Sequence, residues 1–234
     1  MADSERIYER YMELKSRIDA ASASDTGTRV LPVTKTVAAE RILCLRGAGV
    51  TAIGENRVQE ALAKIPALGG AFDIHVIGRL QTNKAQSVAE FASLVQSLDR
   101  WELACALDRA AARSGRVLDA LVQVNIGRDP AKAGILAEDA EAFLERIAAL
   151  SNLRVRGLMT VAPITQTPEE ARPHFRAMKA LFDRLKVESP GGARMEILSM
   201  GMSADCVVAA QEGATLVRVG SAIFGRRQYP ETKH

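Results

Sequence analysis

The sequence predicts an α/β fold: a single (β/α)8 TIM-type barrel with an additional N-terminal helix. Short apolar runs rich in β-branched residues alternate with longer helical patterns, which is typical of βα units around a parallel sheet. Eight such runs are present, and eight is the number of strands that closes a barrel. The length of 234 residues is common for one barrel and is short for two full domains.

The predicted strands span residues 29–35, 50–55, 72–78, 93–99, 120–126, 154–161, 196–200 and 215–221. Helical patterns lie between them, at residues 38–48, 57–64, 101–114, 138–150, 169–188 and 204–211. Before the first strand, four apolar residues recur at helical spacing: Ile7, Tyr11, Leu14 and Ile18. This spacing predicts an amphipathic helix over about residues 4–20 that packs on the outside of the barrel.

The chain 1–234 is interpreted as one domain, with the barrel at about residues 29–225. No linker, internal repeat or low-complexity segment divides it. The residues after Gly225 are too few for a full eighth helix and a further domain. We therefore expect the N-terminal helix to cover the place that an eighth outer helix would occupy.

Composition argues against several classes of function. The net charge of +3 is a small imbalance between 31 basic and 28 acidic residues, and aromatic residues make up 4%, which does not indicate nucleic-acid binding. The three cysteines are widely separated, which fits neither a disulfide framework nor a zinc site, and no metal is predicted. A charged N-terminus and the absence of a long apolar run give the expectation of a cytoplasmic protein without a membrane segment.

Polar residues gather at the carboxyl ends of the predicted strands, where TIM barrels carry their active face. Lys35 follows the apolar stretch 30–33, so its amine would be partly desolvated, which favours the neutral form that condenses with an aldehyde or ketone. On position alone, a solvated lysine in a salt bridge at the barrel rim is the preferred alternative. His75, in an apolar strand, is more simply a hydrogen-bonded core residue than a base.

Two loops of small residues follow the seventh and eighth strands. Ser199 and Ser203 bracket the first loop, and Gly220 and Ser221 end the last strand. Small residues let the backbone approach a ligand, amides at a helix N-terminus favour an anion, and these two loops often form the phosphate site of TIM barrels. Tight turns that require glycine are an equally good explanation of either loop taken separately.

Arg218 lies in the apolar run 216–219 and, by strand alternation, shares a face with Leu216 and Gly220. A guanidinium that points into a barrel needs a partner. Two partners are compatible with the sequence: a ring nitrogen of a ligand, or an internal carboxylate such as Glu55 or Asp99.

Several blocks of the sequence, in their order, resemble one family. They lie at residues 33–36 (Val-Thr-Lys-Thr), 54–60 (Gly-Glu-Asn-Arg-Val-Gln-Glu), 75–84 (His-Val-Ile-Gly-Arg-Leu-Gln-Thr-Asn-Lys), 156–160 (Arg-Gly-Leu-Met-Thr), 198–203 (Leu-Ser-Met-Gly-Met-Ser) and 217–225 (Val-Arg-Val-Gly-Ser-Ala-Ile-Phe-Gly). The family is that of the pyridoxal phosphate homeostasis proteins, whose barrel is similar to the N-terminal domain of alanine racemase. The resemblance covers nearly the whole chain.

The resemblance implies that Lys35 carries pyridoxal 5′-phosphate as a covalent aldimine. It further implies that four residues surround the phosphate: Ser199, Ser203, Gly220 and Ser221. Arg218 would lie beside the pyridine nitrogen, Asn56 near the ring, and His75 and Met200 near the pocket wall. Ala133 and Ala214 stand where serine is expected in relatives, and Lys132 is a second candidate amine for an aldehyde, with a solvated loop lysine as the preferred alternative.

An arginine beside the pyridine nitrogen leaves that nitrogen unprotonated and makes the ring a weaker electron sink. The resemblance therefore implies a protein without catalytic residues of its own that buffers or delivers pyridoxal phosphate, with apo forms of pyridoxal phosphate enzymes as recipients, and the expected state is a monomer. The alternative is a small amino-acid racemase, although the second acid/base of two-domain racemases comes from another domain. A Schiff-base aldolase acting on a sugar phosphate is a third hypothesis.

Overall fold

A computed structural model describes residues 3–225 of the chain. Residues 1–2 and 226–234 of the predicted single domain lie outside the described part. The strands are β1 Arg29–Pro32, β2 Ala52–Glu55, β3 Asp73–Val76, β4 Ala92–Leu98, β5 Leu118–Gln123, β6 Leu153–Met159, β7 Ile197–Ser199 and β8 Leu216–Val219. The helices are α1 Asp3–Ala21, α2 Ala39–Leu43, α3 Val58–Leu68, α4 Ala85–Phe91, α5 Trp101–Arg113, α6 Ala140–Ile147, α7 Arg172–Glu188, α8 Cys206–Gln211 and α9 Ser221–Phe224.

The eight strands form one parallel sheet in the order β1-β8-β7-β6-β5-β4-β3-β2. Its two edge strands meet at a parallel bridge between Val33 and Gly54, where the amide of Thr34 donates to the carbonyl of Gly54 at 2.9 Å. The sheet thus curls into a barrel, and the predicted fold class is confirmed. The seam between β1 and β2 has no extended ladder and is closed by this bridge.

Two apolar layers follow from the alternation of side chains along each strand. Inside the barrel, one buried cluster joins alternate strand residues: Leu31, Leu94, Leu121, Met159, Ile197 and Leu216. Outside it, a much larger cluster fills the space between the strands and the helices. Because the interior layer plugs the barrel at mid-height, any ligand site must lie at one of its two ends.

Helix α1 packs against α8, α9 and the 3-10 turn that continues α2. All four apolar residues predicted to form its inner face are buried: Ile7, Tyr11, Leu14 and Ile18. The prediction that this helix covers the barrel beside the last strand is therefore confirmed. Its position matters for the site, because α9 begins directly after β8.

Several details differ from the sequence-based expectation. The last strand ends before Ser221, which was predicted to belong to it and instead begins the short helix α9. No helix was predicted between the third and fourth strands, where the structure has the short helix α4, joined to β4 without a loop. The first strand is shorter than predicted, because the chain leaves the sheet after Val33 and turns at Thr36, whose φ of 63° is left-handed. Lys35 therefore lies in a turn and not in the strand.

Within residues 3–225, no helix is both long enough and apolar enough to cross a membrane. In the same part of the chain, no three His, Cys, Asp or Glu side chains are grouped so that they could hold a metal ion.

Truncation of the inner face of α1 tests its contribution to the barrel. We expect Ile7→Ala to lower the free energy of unfolding by about 2–5 kcal/mol, because Ile7 is completely buried and its loss leaves a cavity. Glu13→Ala, on the exposed face of the same helix, should change it by less than about 0.5 kcal/mol. Urea unfolding of both variants measures the difference, and equal stabilities would show that α1 is not part of the cooperative unit.

Candidate functional site

A cleft of about 420 Å³ opens at the carboxyl end of β1 and β8. Lys35 and Thr36 line one side of it, and Gly220 and Ser221 line the other. Its remaining lining residues are Asp3, Val33, Val37, Ala38, Arg41, Phe224 and Gly225. The structure thus brings the predicted amine together with the predicted loop after the eighth strand, because β1 and β8 are neighbours in the barrel.

The two loops of small residues touch each other. The amide of Gly220 donates to the hydroxyl of Ser203 at 3.3 Å, which joins the loop after β8 to the loop after β7. Gly201 adopts a φ of +89°, and a Cβ atom at this position would lie 2.5 Å from the Cβ of Ala209, so glycine is required there. The tight turn at Gly201 lets the loop lie close to α8 and carries Ser203 toward the edge of the cleft.

Arg218 points into the barrel and is 4% exposed. Its guanidinium donates to the hydroxyl of Ser199 at 2.7 Å and to the carbonyl of Thr160 at 2.8 Å. Burial lowers the pKa of Arg218 to about 10, although Asp205 acts in the opposite direction. The side chain therefore places a desolvated cation inside the barrel, close to the ends of β6 and β7.

The internal carboxylate partners considered for Arg218 are wrong. Glu55 bonds instead to Thr34 and Lys64, and Asp99 pairs with Arg100 at 2.6 Å. The reason is strand alternation: on β2 it is Gly54 that faces the interior, beside Leu31, so Glu55 must face outward to α3. Among residues 3–225, no carboxylate hydrogen-bonds to Arg218.

The hydrogen bonds from Arg218 continue as a chain through the barrel. Ser199 donates from its hydroxyl to Oε1 of Gln96 at 2.7 Å, and Nε2 of Gln96 lies 3.0 Å from Nδ1 of His75. An arginine and the amide nitrogen of a glutamine are both donors only. The series of hydrogen bonds therefore runs in one direction, from Arg218 to His75, and Nδ1 of His75 must accept, which requires a neutral ring. Burial, with a smaller effect of Arg29, lowers the pKa of His75 to about 4, which agrees with a neutral ring.

Gln96 was not identified from the sequence as a site residue. It stands on β4, where the inward positions alternate with outward ones, and an inward polar residue next to the interior Leu94 was the available signal. The expectation that His75 is a hydrogen-bonded core residue agrees with its contact to Gln96. His75 reaches Arg218 only through Gln96 and Ser199, and it also lines a separate cavity of about 280 Å³ between α1 and the first residues of β1 and β2.

Three further predicted residues lie apart from the cleft. Asn56 is exposed and lines a different pocket, together with Gly78. Met200 is completely buried in the outer apolar cluster. Lys132, on the loop after β5, donates to the carbonyl of Ala162 at 2.7 Å. The structure therefore unites Lys35, Gly220 and Ser221 in one cleft, with Ser203 beside them.

Comparison with known sequences gives a match along nearly the whole chain. The family described as alanine racemase, N-terminal domain, matches residues 3–228. The pyridoxal phosphate homeostasis protein of Aquifex aeolicus (strain VF5) is 39% identical over 225 residues, which cover 96% of each chain. That of Haemophilus influenzae is 38% identical over 209 residues and 88% of each chain.

This chain belongs to the pyridoxal phosphate homeostasis protein family. The family resemblance stated from the sequence motifs is thereby confirmed. Among solved structures, PipY of Synechococcus elongatus PCC7942 is similar in its form without pyridoxal phosphate, with a TM-score of 0.85 and 37% identity over 94% of this chain and 100% of that chain. PipY with pyridoxal phosphate bound has a TM-score of 0.83 and 36% identity.

The same barrel also occurs in more distant enzymes. D-threo-3-hydroxyaspartate dehydratase from Delftia sp. HT23 is 20% identical with a TM-score of 0.73, and the match covers 94% of this chain and 59% of that one. This likeness concerns the fold alone. It shows that the barrel, as a scaffold, is shared beyond this family.

The buried His75 predicts a pH dependence of stability. Because the unfolded chain takes up a proton at this residue near pH 6.5 and the folded chain resists it to about pH 4, lowering the pH across this window favours the unfolded state. The loss amounts to about 3 kcal/mol between these limits.

We expect His75→Gln to remove this part of the pH dependence, since an amide oxygen can still accept from Gln96 but does not titrate. His174→Gln, at a half-buried histidine of α7, should keep it. Urea unfolding of the three proteins at pH 7 and pH 4.5 provides the measurement. If His75→Gln and wild type lost the same stability, the neutral, buried state of His75 would be refuted.

Proposed function

We propose that this chain binds pyridoxal 5′-phosphate through a Schiff base on Lys35 and serves in pyridoxal phosphate homeostasis by buffering or delivering the cofactor. The names of its curated relatives and the cofactor bound to PipY support this proposal. Delivery to apo forms of pyridoxal phosphate enzymes, a cytoplasmic location and a monomeric state belong to the same proposal.

The observation that carries the proposal is the single cleft shared by Lys35, Gly220 and Ser221. Pyridoxal phosphate offers an aldehyde and, on the same ring, a phosphate, so it requires an amine and an anion cradle in one cavity. The amine condenses with the aldehyde, and the carbonyl oxygen leaves as water. In the loop after β8, a Cβ at Gly220 would lie 3.3 Å from the carbonyl oxygen of Val33, which is a close contact, so glycine is favoured there.

We assign the phosphate to Ser203, Gly220 and Ser221. The first amides of a helix have no acceptor within the helix, and Ser221 begins α9. Ser199 is not assigned to the phosphate, because its hydroxyl accepts from Arg218 and donates to Gln96. The contacts of Asn56, His75 and Met200 with the cofactor stay predictions.

Arg218 favours a protein that stores pyridoxal phosphate over an enzyme that uses it for catalysis. The guanidinium is buried, and Ser199 and Thr160 fix two of its donors. When pyridoxal phosphate is bound, it supplies an electron sink whose strength depends on a protonated ring nitrogen. A cationic arginine beside that nitrogen would donate to it and keep it unprotonated, so the electron sink would stay weak. We therefore propose a non-catalytic role.

An absorbance spectrum tests ligand and residue together. Wild type mixed with pyridoxal phosphate should show the visible band of a Schiff base, and Lys35→Ala should lose it, because the amine is removed. Lys132→Ala serves as the matched control and should keep the band, since Lys132 is held by the carbonyl of Ala162 outside the cleft. After borohydride reduction, peptide mapping should find the label on Lys35; a label on Lys132 or on no lysine would contradict the assigned site.

A small amino-acid racemase is the second candidate, favoured by the match to the alanine racemase N-terminal domain. We expect purified, cofactor-loaded protein to leave single-enantiomer amino acids unchanged over many hours, because racemisation also requires a second acid/base on the opposite face of the substrate carbon, which two-domain racemases take from another domain. Chiral chromatography measures the outcome. Racemisation that disappears in Lys35→Ala would replace the homeostasis proposal with the enzymatic one.

A further inference from the structure

The turn that carries Lys35 is strained. Thr36, the next residue, has a φ of 63°, which is an outlier for a β-branched side chain. The left-handed region is costly for an L-residue, because its Cβ comes too close to the following carbonyl oxygen. Such a conformation persists only where its surroundings hold it, and it is common at functional sites.

Two residues of α3 hold both peptide groups that flank Lys35. The ammonium of Lys64 donates to the carbonyl of Thr34, which belongs to the peptide before Lys35, at 2.6 Å. The amide of Thr36, which belongs to the peptide after Lys35, donates to the carboxylate of Glu60. Lys64 and Glu60 are themselves paired at 2.7 Å across one helical turn. The two members of one ion pair therefore hydrogen-bond to the backbone on both sides of Lys35.

Glu55 completes the group from β2. Its Oε1 accepts from Lys64 at 2.9 Å and from the hydroxyl of Thr34 at 2.5 Å. A lysine has three donors, and Lys64 thus has one acceptor for each: Thr34, Glu55 and Glu60. The side chain of Lys64 is 11% exposed and that of Glu55 is 1% exposed, so the geometry is protected from water.

The electrostatics of the group agree with this geometry. Burial raises the pKa of Glu55 and outweighs the opposing hydrogen bonds from Lys64 and Thr34. Burial also acts to raise the pKa of Glu60, but the hydrogen bonds from Lys64 and Thr36 exceed it and lower that pKa. Glu60, the carboxylate that accepts from the amide of Thr36, is therefore the one whose charged form is favoured.

We propose that Lys64 and Glu60, supported by Glu55, are positioning residues for Lys35. They hold both peptide groups that flank Lys35 in the strained turn, so that its amine is directed into the cleft before an aldehyde arrives. This inference rests on the proposed function, because it assigns these residues to Schiff-base formation at Lys35. It also gives a role to Glu55 and Glu60, the two acidic residues of the block at residues 54–60.

The test compares Lys64→Met and Glu60→Ala with wild type. Two quantities are measured: hydrogen–deuterium exchange of the peptide containing residues 33–37 in cofactor-free protein, and the rate constant of Schiff-base formation after mixing with pyridoxal phosphate. We expect faster exchange in this peptide and a rate constant lower by about tenfold to hundredfold, since a misplacement of about 1 Å can cost a factor of about one hundred. Glu60→Gln keeps an acceptor oxygen and should fall between Glu60→Ala and wild type.

The matched control is Lys179→Met, which removes the lysine of an exposed Lys179–Asp183 pair of the same spacing on α7 and should change neither quantity. Unchanged exchange in both variants overturns the proposal, and so does faster exchange with an unchanged rate constant. If wild type forms no Schiff base at Lys35, the proposed function fails, and the positioning role fails with it even where exchange shows that the turn is held. If Lys64→Met does not fold, Glu60→Ala and Glu60→Gln carry the same comparison.

Discussion

The closure of the barrel between β1 and β2 is the constraint on which the site depends. Most neighbouring strands pair over several residues, but this seam is closed by a bridge at Val33 and Gly54. The chain leaves the sheet directly afterwards, so Lys35 stands where regular strand pairing has ended. What joins the two strands beyond that point is the buried group of Thr34, Glu55 and Lys64. Barrel closure and the conformation of the Lys35 turn are thus parts of one arrangement.

A second constraint is the charge of Arg218 inside the barrel. A buried guanidinium is costly unless its donors find acceptors, and the interior supplies a hydroxyl and a carbonyl in place of a carboxylate. The hydroxyl of Ser199 in turn needs an acceptor, which accounts for the polar side chains of Gln96 and His75 inside the barrel. Because nothing in this chain of bonds carries a compensating negative charge, the cation stays available to an acceptor at the barrel mouth.

These two features point in the same chemical direction. The proposed amine is pre-oriented, which favours capture of an aldehyde, while the proposed neighbour of the ring nitrogen is a cation, which disfavours carbanion chemistry. On these grounds we propose that the chain holds pyridoxal phosphate reversibly at Lys35 and makes little use of its chemistry. The relatives from Aquifex aeolicus and Haemophilus influenzae carry the name pyridoxal phosphate homeostasis protein, with which this proposal agrees.

The sequence by itself determined the barrel, the inner face of α1, the family, and the candidate amine and phosphate loops, because these depend on local periodicity, residue type and the order of short motifs. Tertiary structure alone decided the partners of Arg218, the role of Gln96 and the hydrogen bond from Lys64 to the backbone next to Lys35. Ser199 and Gln96 are 103 positions apart, and Lys64 and Thr34 are 30 apart. The physical reason is that such contacts join residues far apart in sequence and depend on the register and closure of the barrel, which no local pattern specifies.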